Sequence, residues 1–169
     1  MGERRKQILK LSRVQPDIEA LVRNHSRDML RAAYTVLHNT DDAEDAVQNV
    51  FLKVVQKKPS FNDDGHSKAW LLRATLNEAK NMLKKRAKSK NIADIPDGTA
   101  GFDDTHSEVL EAVMSIPGDY REVIFLYYYE GYNVKEIAGI IQKPVSTVTT
   151  LLSRARAKLK IKLEGEIQK

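Results

Sequence analysis

Four apolar positions near the end of the chain, Val148, Leu152, Ala155 and Leu159, recur at i, i+4, i+7 and i+11. On a strand that spacing would scatter them over both faces; on an α-helix it puts them on one stripe, so it commits the segment to helix. A shorter apolar set precedes it, Ile137, Ala138 and Ile141, and only Gln142, Lys143 and Pro144 stand between the two. The spacing therefore predicts a short helix over 134–141, a tight break, and a longer amphipathic helix over 146–163. Ala138 is small enough to let the second helix pack close.

Such a pair is the layout of a helix-turn-helix, whose second helix can enter the major groove of duplex DNA. Its outer face would offer Ser146, Thr147, Thr149, Thr150, Ser153 and Arg154, whose hydroxyls and guanidinium suit phosphates and base edges. Arg156, Lys158, Lys160 and Lys162 follow as cations able to track the backbone. An ordinary αα-hairpin with a charged tail has the same periodicity. A helix-turn-helix also usually turns on a glycine, where this chain has Gln142 or Lys143.

The rest of the chain reads as helix too, and no alternating Val/Ile/Thr run bounded by turn residues suggests a strand. In "KAWLLRATLNEAKNMLKKR", Leu72, Leu76, Ala79 and Leu83 make one stripe. Arg73, Asn77, Lys80 and Lys84 repeat its spacing about 100° round the helix. That row faces either water or phosphates. Trp70, beside the apolar stripe, reads as a core anchor rather than a platform for stacked bases. Before it, "TDDAEDAVQNVFLKVVQKK" is acidic at its start and basic at its end, as the helix dipole prefers. Thr40 suits its N-cap. It carries two apolar stripes, Ala46–Val50–Val54 and Val47–Phe51–Val55; one can face a core, and the other lies under a partner or inside the same bundle.

Helices are thus expected over 17–37, 41–56 and 68–88, with Pro59 and Gly65 in the loop before the third, and over 107–116, 119–130, 134–141 and 146–163. Residues 87–107 hold four aspartates against two lysines, with Pro96, Gly98 and Gly101, and read as a linker. The expected fold is all-α: two small helical domains joined by a flexible acidic linker, the C-terminal one containing a helix-turn-helix. The boundaries are a basic N-terminal extension over 1–15, a first domain over 16–88, a linker over 89–106 and a second domain over 107–169.

The net charge of +5 is compatible with a nucleic-acid partner. The chain has no cysteine, so disulfides and thiolate metal sites are excluded, and no apolar run is long enough to span a bilayer. The basic start lacks an apolar core and a cleavage site, which speaks against a signal peptide and for the cytoplasm. An enzyme is not expected. His25, His38, His66 and His106 fall in no metal-ligand spacing, and no Gly-rich phosphate loop is present. Asp41, Asp42, Glu44 and Asp45 look like helix-start charges. Asp63 and Asp64 beside His66 look like an exposed acidic loop rather than a metal site. No cofactor and no small-molecule substrate are implied.

Taken in order, "DDAEDAVQNVFLKVVQK", "KAWLLRATLNEAKNMLKKR" and "IPGDYREVIFLYYYEGYNVKEIAGIIQKPVSTVTTLLSRARAKL" resemble a bacterial RNA polymerase sigma factor of the extracytoplasmic-function group, over nearly all of residues 18–163. The resemblance implies an alternative sigma factor that binds core RNA polymerase and directs promoter recognition, melting and initiation. It assigns polymerase binding to Asp45, Gln48, Asn49, Phe51 and Leu52. It assigns the −10 element, opened as single strand, to the loop residues Phe61, Asn62 and Asp63 and to Arg73, Asn77, Lys80, Lys84 and Lys85. The −35 element, read as duplex, falls to Ser146, Thr147, Thr149, Thr150, Ser153, Arg154, Arg156 and Lys158. The implied partners are core polymerase, promoter DNA and an anti-sigma factor that wedges between the lobes. Three departures stand out: Gln48-Asn49 where the family often has Gln-Glu, Asn81 where it often has Asp, and "TVTTL" at 147–151 where Thr-Val-Lys-Ser-Arg is common. A stand-alone helix-turn-helix regulator is the alternative reading, and a partner-binding protein without a direct DNA role is a third.

Overall fold

The computed structural model describes residues 17–89 and 108–167, and among these every regular element is helical. The expected N-terminal extension, almost all of the expected linker, and His106 lie outside them. The helices are α1 (Ile18–Leu37), α2 (Thr40–Lys57), α3 (Asp64–Lys88), α4 (Glu108–Ser115), α5 (Gly118–Ile124), α6 (Val134–Ile141) and α7 (Val145–Ile167). Between α5 and α6 the chain continues as a π-helix, Phe125–Tyr129.

Local chemistry sets the ends. Asp17 caps α1 by accepting from the Glu19 N–H at 3.1 Å. Asn39 rather than Thr40 caps α2, its side chain accepting from the Asp42 N–H at 2.9 Å. Asp63 caps α3 through the His66 N–H at 2.7 Å, so α3 begins a turn before the position its apolar stripe suggests, and Gly65 lies inside the first turn. An aspartate that satisfies an otherwise unpaired N–H outweighs one glycine's weak preference for loop. Asn133 and Glu136 form a reciprocal capping box at the start of α6.

In the first lobe α1, α2 and α3 pack on one another; in the second, α4, α5 and α6 gather round α7. A small cluster, including Leu21, Met29, Val50, Val54, Phe61 and Leu71, belongs to the first lobe alone. The larger core does not respect the division. Ala32, Ala33, Leu72, Leu76 and Ala79 from α1 and α3 join Val123, Leu126, Ile137, Val148 and Leu152 from the second lobe in one continuous cluster. The small residues on α1 let α5 approach it, and α6 lies against α3. The stripe on α3 is buried as far as Ala79, whereas Leu83 lies past the covered part and is 39% exposed. Val148, Leu152 and Ala155 are buried and Leu159 half-buried, so the stripe on α7 seals the second lobe.

The π-helix replaces the plain helix expected over 119–130. Its extra residue per turn is visible where the Glu130 N–H reaches the Phe125 carbonyl at 3.0 Å. Phe125 and Leu126 turn inward while Tyr128 and Tyr129 stay exposed. The break between α6 and α7 turns on Gln142, held left-handed at φ 55° and ψ 47°, the position where glycine was expected. A Cβ there costs about 1–2 kcal/mol. Gln142→Val, with a branched Cβ, should therefore lower stability by a further ~1 kcal/mol, while Gln142→Gly should be neutral or slightly stabilising. Urea unfolding followed by circular dichroism checks both.

Candidate nucleic-acid interface

On α7 the stripe faces inward and leaves Ser146, Thr149, Thr150, Ser153 and Arg154 exposed, with Thr147 half-buried. Ser146, Thr147, Thr150, Leu151 and Arg154 line an open hollow on this face. Thr149 and Thr150 donate to the Val145 and Ser146 carbonyls, each at 3.0 Å, so their hydroxyl protons are in use and their oxygens remain as acceptors. Arg154 supplies the hollow's positive charge. Arg156, two residues on, projects about 200° away on the helix. Its Nε donates to the Tyr128 hydroxyl at 2.7 Å, and its guanidinium lies over Tyr127 and Tyr128. The Lys158 ammonium sits 5.6 Å from the centre of the Tyr120 ring.

The row on α3 is not uniform. Asn77, Lys84 and Lys85 are exposed and Arg73 is half-buried. Lys80 instead reaches the second lobe, its Nζ 2.7 and 2.8 Å from the two carboxylate oxygens of Glu122. The row therefore does not present four side chains to a strand in this arrangement, because one cation is already paired within the chain. In the loop before α3, Asn62 and Asp63 are exposed, but Phe61 is only 7% exposed. Its ring packs edge-on against His66 and Trp70, with centroids 5.5 and 5.6 Å away. Phe61, expected on the −10 surface, is here a core residue: a benzyl group beside a half-buried tryptophan gains more from burial than from water. Beneath it the buried His25 places Nε2 2.9 Å from Asp64 Oδ1, tying α1 to the start of α3.

On α2, Asp45, Gln48 and Leu52 are exposed and share one face with Val55. The two apolar stripes separate: Ala46, Val50 and Val54 are buried, while the other runs outward from buried Val47 through half-buried Phe51 to Val55, 47% exposed. Asn49 points elsewhere. Its amide donates to Glu78 of α3 at 3.0 Å, and Lys53 pairs with the other oxygen of that carboxylate. Of the five residues expected to contact polymerase, three are exposed, one is half-buried, and Asn49 is engaged within the lobe. The departure from the family's Gln-Glu thus has a local reason, since a glutamate at 49 would face Glu78.

Sequence reasoning missed the charged groups between the lobes. Glu122 and Glu130, whose side chains are 2% exposed, pair with Lys80 and Lys68, and Lys68 also meets Asp28 at 3.0 Å. Arg121 donates to the carbonyls of Thr35 at 2.6 Å, Ile116 at 2.8 Å and Met114 at 3.1 Å. It thereby satisfies the frayed C-terminal ends of both α1 and α4. Burial pushes the Glu122 carboxyl above the ordinary carboxylate range, with Lys80 acting against it. Burial also works against the Lys68 ammonium, but its hydrogen bonds to Glu130 and Asp28 prevail and hold its pKa well above the ordinary lysine value. The available signal was Arg121-Glu122 and Glu130 bracketing the apolar "VIFLYYY": ionic groups beside a run that must be buried have to find partners.

Comparison with known families decides the identity. A model described as Sigma-70 region 2 matches residues 21–89, and one described as Sigma-70, region 4 matches residues 106–159. The chain belongs to the sigma-70 family. Several relatives within it bear names of the extracytoplasmic-function (ECF) group, and this chain is a sigma factor of that group. It is 28% identical over 149 residues to the RNA polymerase sigma factor SigV of Bacillus subtilis, covering 86% of this chain and 90% of that one. It is 27% identical over 147 residues to the ECF RNA polymerase sigma-E factor of Escherichia coli K12, covering 76% and 77%. The fold is similar to that of the sigma factor RpoE solved with the anti-sigma factor NepR from Bartonella quintana, with a TM-score of 0.74 at 24% identity over 88% of this chain and 97% of that one. It is also similar to CnrH solved with the cytosolic domain of CnrY, with a TM-score of 0.63 at 26% identity over 88% of each. Because the region 2 match covers the first lobe, the sigma factor is not a stand-alone regulator with an unrelated sensor module.

The Glu78 contacts carry a pH signature. Burial alone would raise this carboxyl, but Lys53 and Asn49 outweigh it and hold its pKa below the ordinary glutamate value. A depressed carboxylate pKa contributes stability above pH 4.5 that fades as the pH falls through the folded value. Glu78→Gln should therefore lower stability at neutral pH and flatten its decline below pH 4.5, read by thermal unfolding across the acid range.

Proposed function

We propose that this sigma factor binds core RNA polymerase through the outer face of α2, with Asp45, Gln48, Leu52 and the half-buried Phe51 as contacts and Val55 extending the same surface. The observation that carries the reading is the exposure of that face: Leu52 is 58% and Val55 47% exposed, on a helix whose other apolar residues are used inside the lobe. An apolar patch flanked by Asp45 and Gln48 suits a partner that is apolar at its centre and polar or basic at its rim. Asn49 is outside the proposed contact because Glu78 holds it.

The first lobe then takes the −10 element as single strand. Asn62 and Asp63 lie where a base would be captured, while Arg73, Asn77, Lys84 and Lys85 line the path of the backbone, joined by Lys80 once Glu122 releases it. The second lobe takes the −35 element as duplex, through the hollow of Ser146, Thr147, Thr150 and Arg154 and with Thr149 and Ser153 beside it. Arg154 is its principal charge-bearing contact, and Arg156 and Lys158 serve flanking phosphates. The "TVTTL" departure leaves this face short of cations, so duplex binding by the isolated chain is weak and promoter selection depends on polymerase holding both lobes. The chain acts without catalysis of its own, in the cytoplasm, where polymerase works. Its similarity to a sigma factor solved with an anti-sigma factor supports an inhibitor of that class as a further partner.

Co-elution of the purified chain with core polymerase on a sizing column tests the reading. Asp45→Arg with Gln48→Arg should abolish co-elution while leaving the circular dichroism spectrum unchanged. Normal co-elution of that double variant would remove α2 as the polymerase surface.

A further inference from the structure

Thr149 and Thr150 both face solvent on α7, yet neither has a hydroxyl proton to give, since they donate to the Val145 and Ser146 carbonyls, each at 3.0 Å. A threonine bonded back to its own helix has its Oγ turned to the backbone, and the branched Cβ then fixes the methyl as well. Thr150 stands in the second turn of α7, in the N-terminal part that a recognition helix lays against base edges. It shares the hollow with Ser146, Thr147, Leu151 and Arg154. Ala157, seven residues on, is exposed along the same line of the helix. The centre of this surface is therefore carbon beside one cation. The side chains that would ask for other bases are missing from the sequence. From Val145 to Leu163 it holds no Asn or Gln to pair with adenine and no Asp or Glu to accept from cytosine. Arg154 suits guanine or a phosphate, and the serine hydroxyls suit phosphates. One base edge in the major groove offers carbon in return, the C5-methyl of thymine.

We propose that the second lobe selects thymine in the −35 element through the methyl of Thr150, with the half-buried Thr147 and Leu151 completing an apolar seat for the thymine C5-methyl. This rests on the assignment of α7 to the −35 duplex, and it names the base chemistry that the surface takes. Uracil, which is thymine without that methyl, leaves the seat empty. Contact between two methyl groups releases no counterions, so the choice of base is independent of salt even as the overall grip weakens. The same contact accounts for how a face short of cations at 147–151 can keep a sequence preference. Phosphate contacts hold the duplex, but base contacts specify it.

Holoenzyme reconstituted from the full chain and core polymerase is offered two pools of random-sequence duplex DNA, one copied with dTTP and the other with dUTP in its place. The −35 element is the upstream motif whose enrichment Arg154→Ala weakens. Within it, at least one thymine enriched from the first pool should lose its enrichment in the second. A defined duplex with uracil at that position should bind about fourfold more weakly than its thymine twin, the worth of one buried methyl. That ratio should hold from low to high salt. Thr150→Ser, which removes the methyl and keeps the hydroxyl, should bring the ratio to unity. Thr150→Val, which keeps a methyl and removes the hydroxyl, should preserve it. Both substitutions lie on the exposed face, so the circular dichroism spectrum should not change. Equal binding of the two twins by the wild type, or a ratio that Thr150→Ser leaves standing, overturns the inference. Loss of the ratio in Thr150→Val would assign the reading to the hydroxyl and overturn it likewise. A motif that depends on Arg154 but ignores the methyl overturns the inference alone. The absence of any motif that depends on Arg154 overturns the assignment of α7 to the −35 element, and the inference with it.

Discussion

The dipeptide Arg121-Glu122 sets how the second lobe meets the first. Neither side chain can be buried alone. The arginine must find carbonyls, and it finds them at the ends of α1 and α4, where helices leave them unpaired. The glutamate must find a cation, and Lys80 provides it. These demands are directional where apolar packing is not, so they select one docking of α5 on α1 and α3 from the many that alanine and leucine surfaces would tolerate. The continuous core across the lobes then forms round that choice.

The second helix illustrates how a sequence pattern with two meanings is resolved by a polar contact. Its two apolar stripes allowed burial on both sides or one side left for a partner. Asn49 and Lys53 reach Glu78 and fix the rotation of α2 against α3, placing Ala46, Val50 and Val54 inward. Val55 and Leu52 are left outside as a consequence. An exposed apolar face on an otherwise well-packed helix is a surface awaiting cover.

Much of the fold was legible because helices write their period into the chain. The stripes Leu72–Leu76–Ala79 and Val148–Leu152–Ala155 are local statements, and they are buried where their spacing put them. What escaped was either a competition between neighbours or a tertiary pairing. Asn39 and Thr40 are both capable caps, and only the backbone geometry of Asn39, extended at φ −143°, chose between them. Phe61 sat in a polar loop and read as surface, yet Trp70, nine residues on in the second turn of α3, offered it a core. Lys80 belonged to a periodic cationic row, and no local rule says that one member will be claimed by a carboxylate on another helix.

The helix-turn-helix shows a different balance between constraint and freedom. Its inner face is tightly determined: Ala155 and Val148 have no exposed surface, and Gln142 accepts a left-handed backbone because the hairpin must turn there. Among the described residues its outer face carries no packing at Ser146, Ser153 and Arg154, which are exposed. A face whose composition is free of folding demands can be set by the duplex it reads. The hydroxyl-rich surface, with a single arginine at its hollow, is chemically suited to positional hydrogen bonding more than to strong charge attraction. On the proposed reading, such a lobe holds DNA loosely by itself and relies on the other lobe and polymerase to bring the promoter to it.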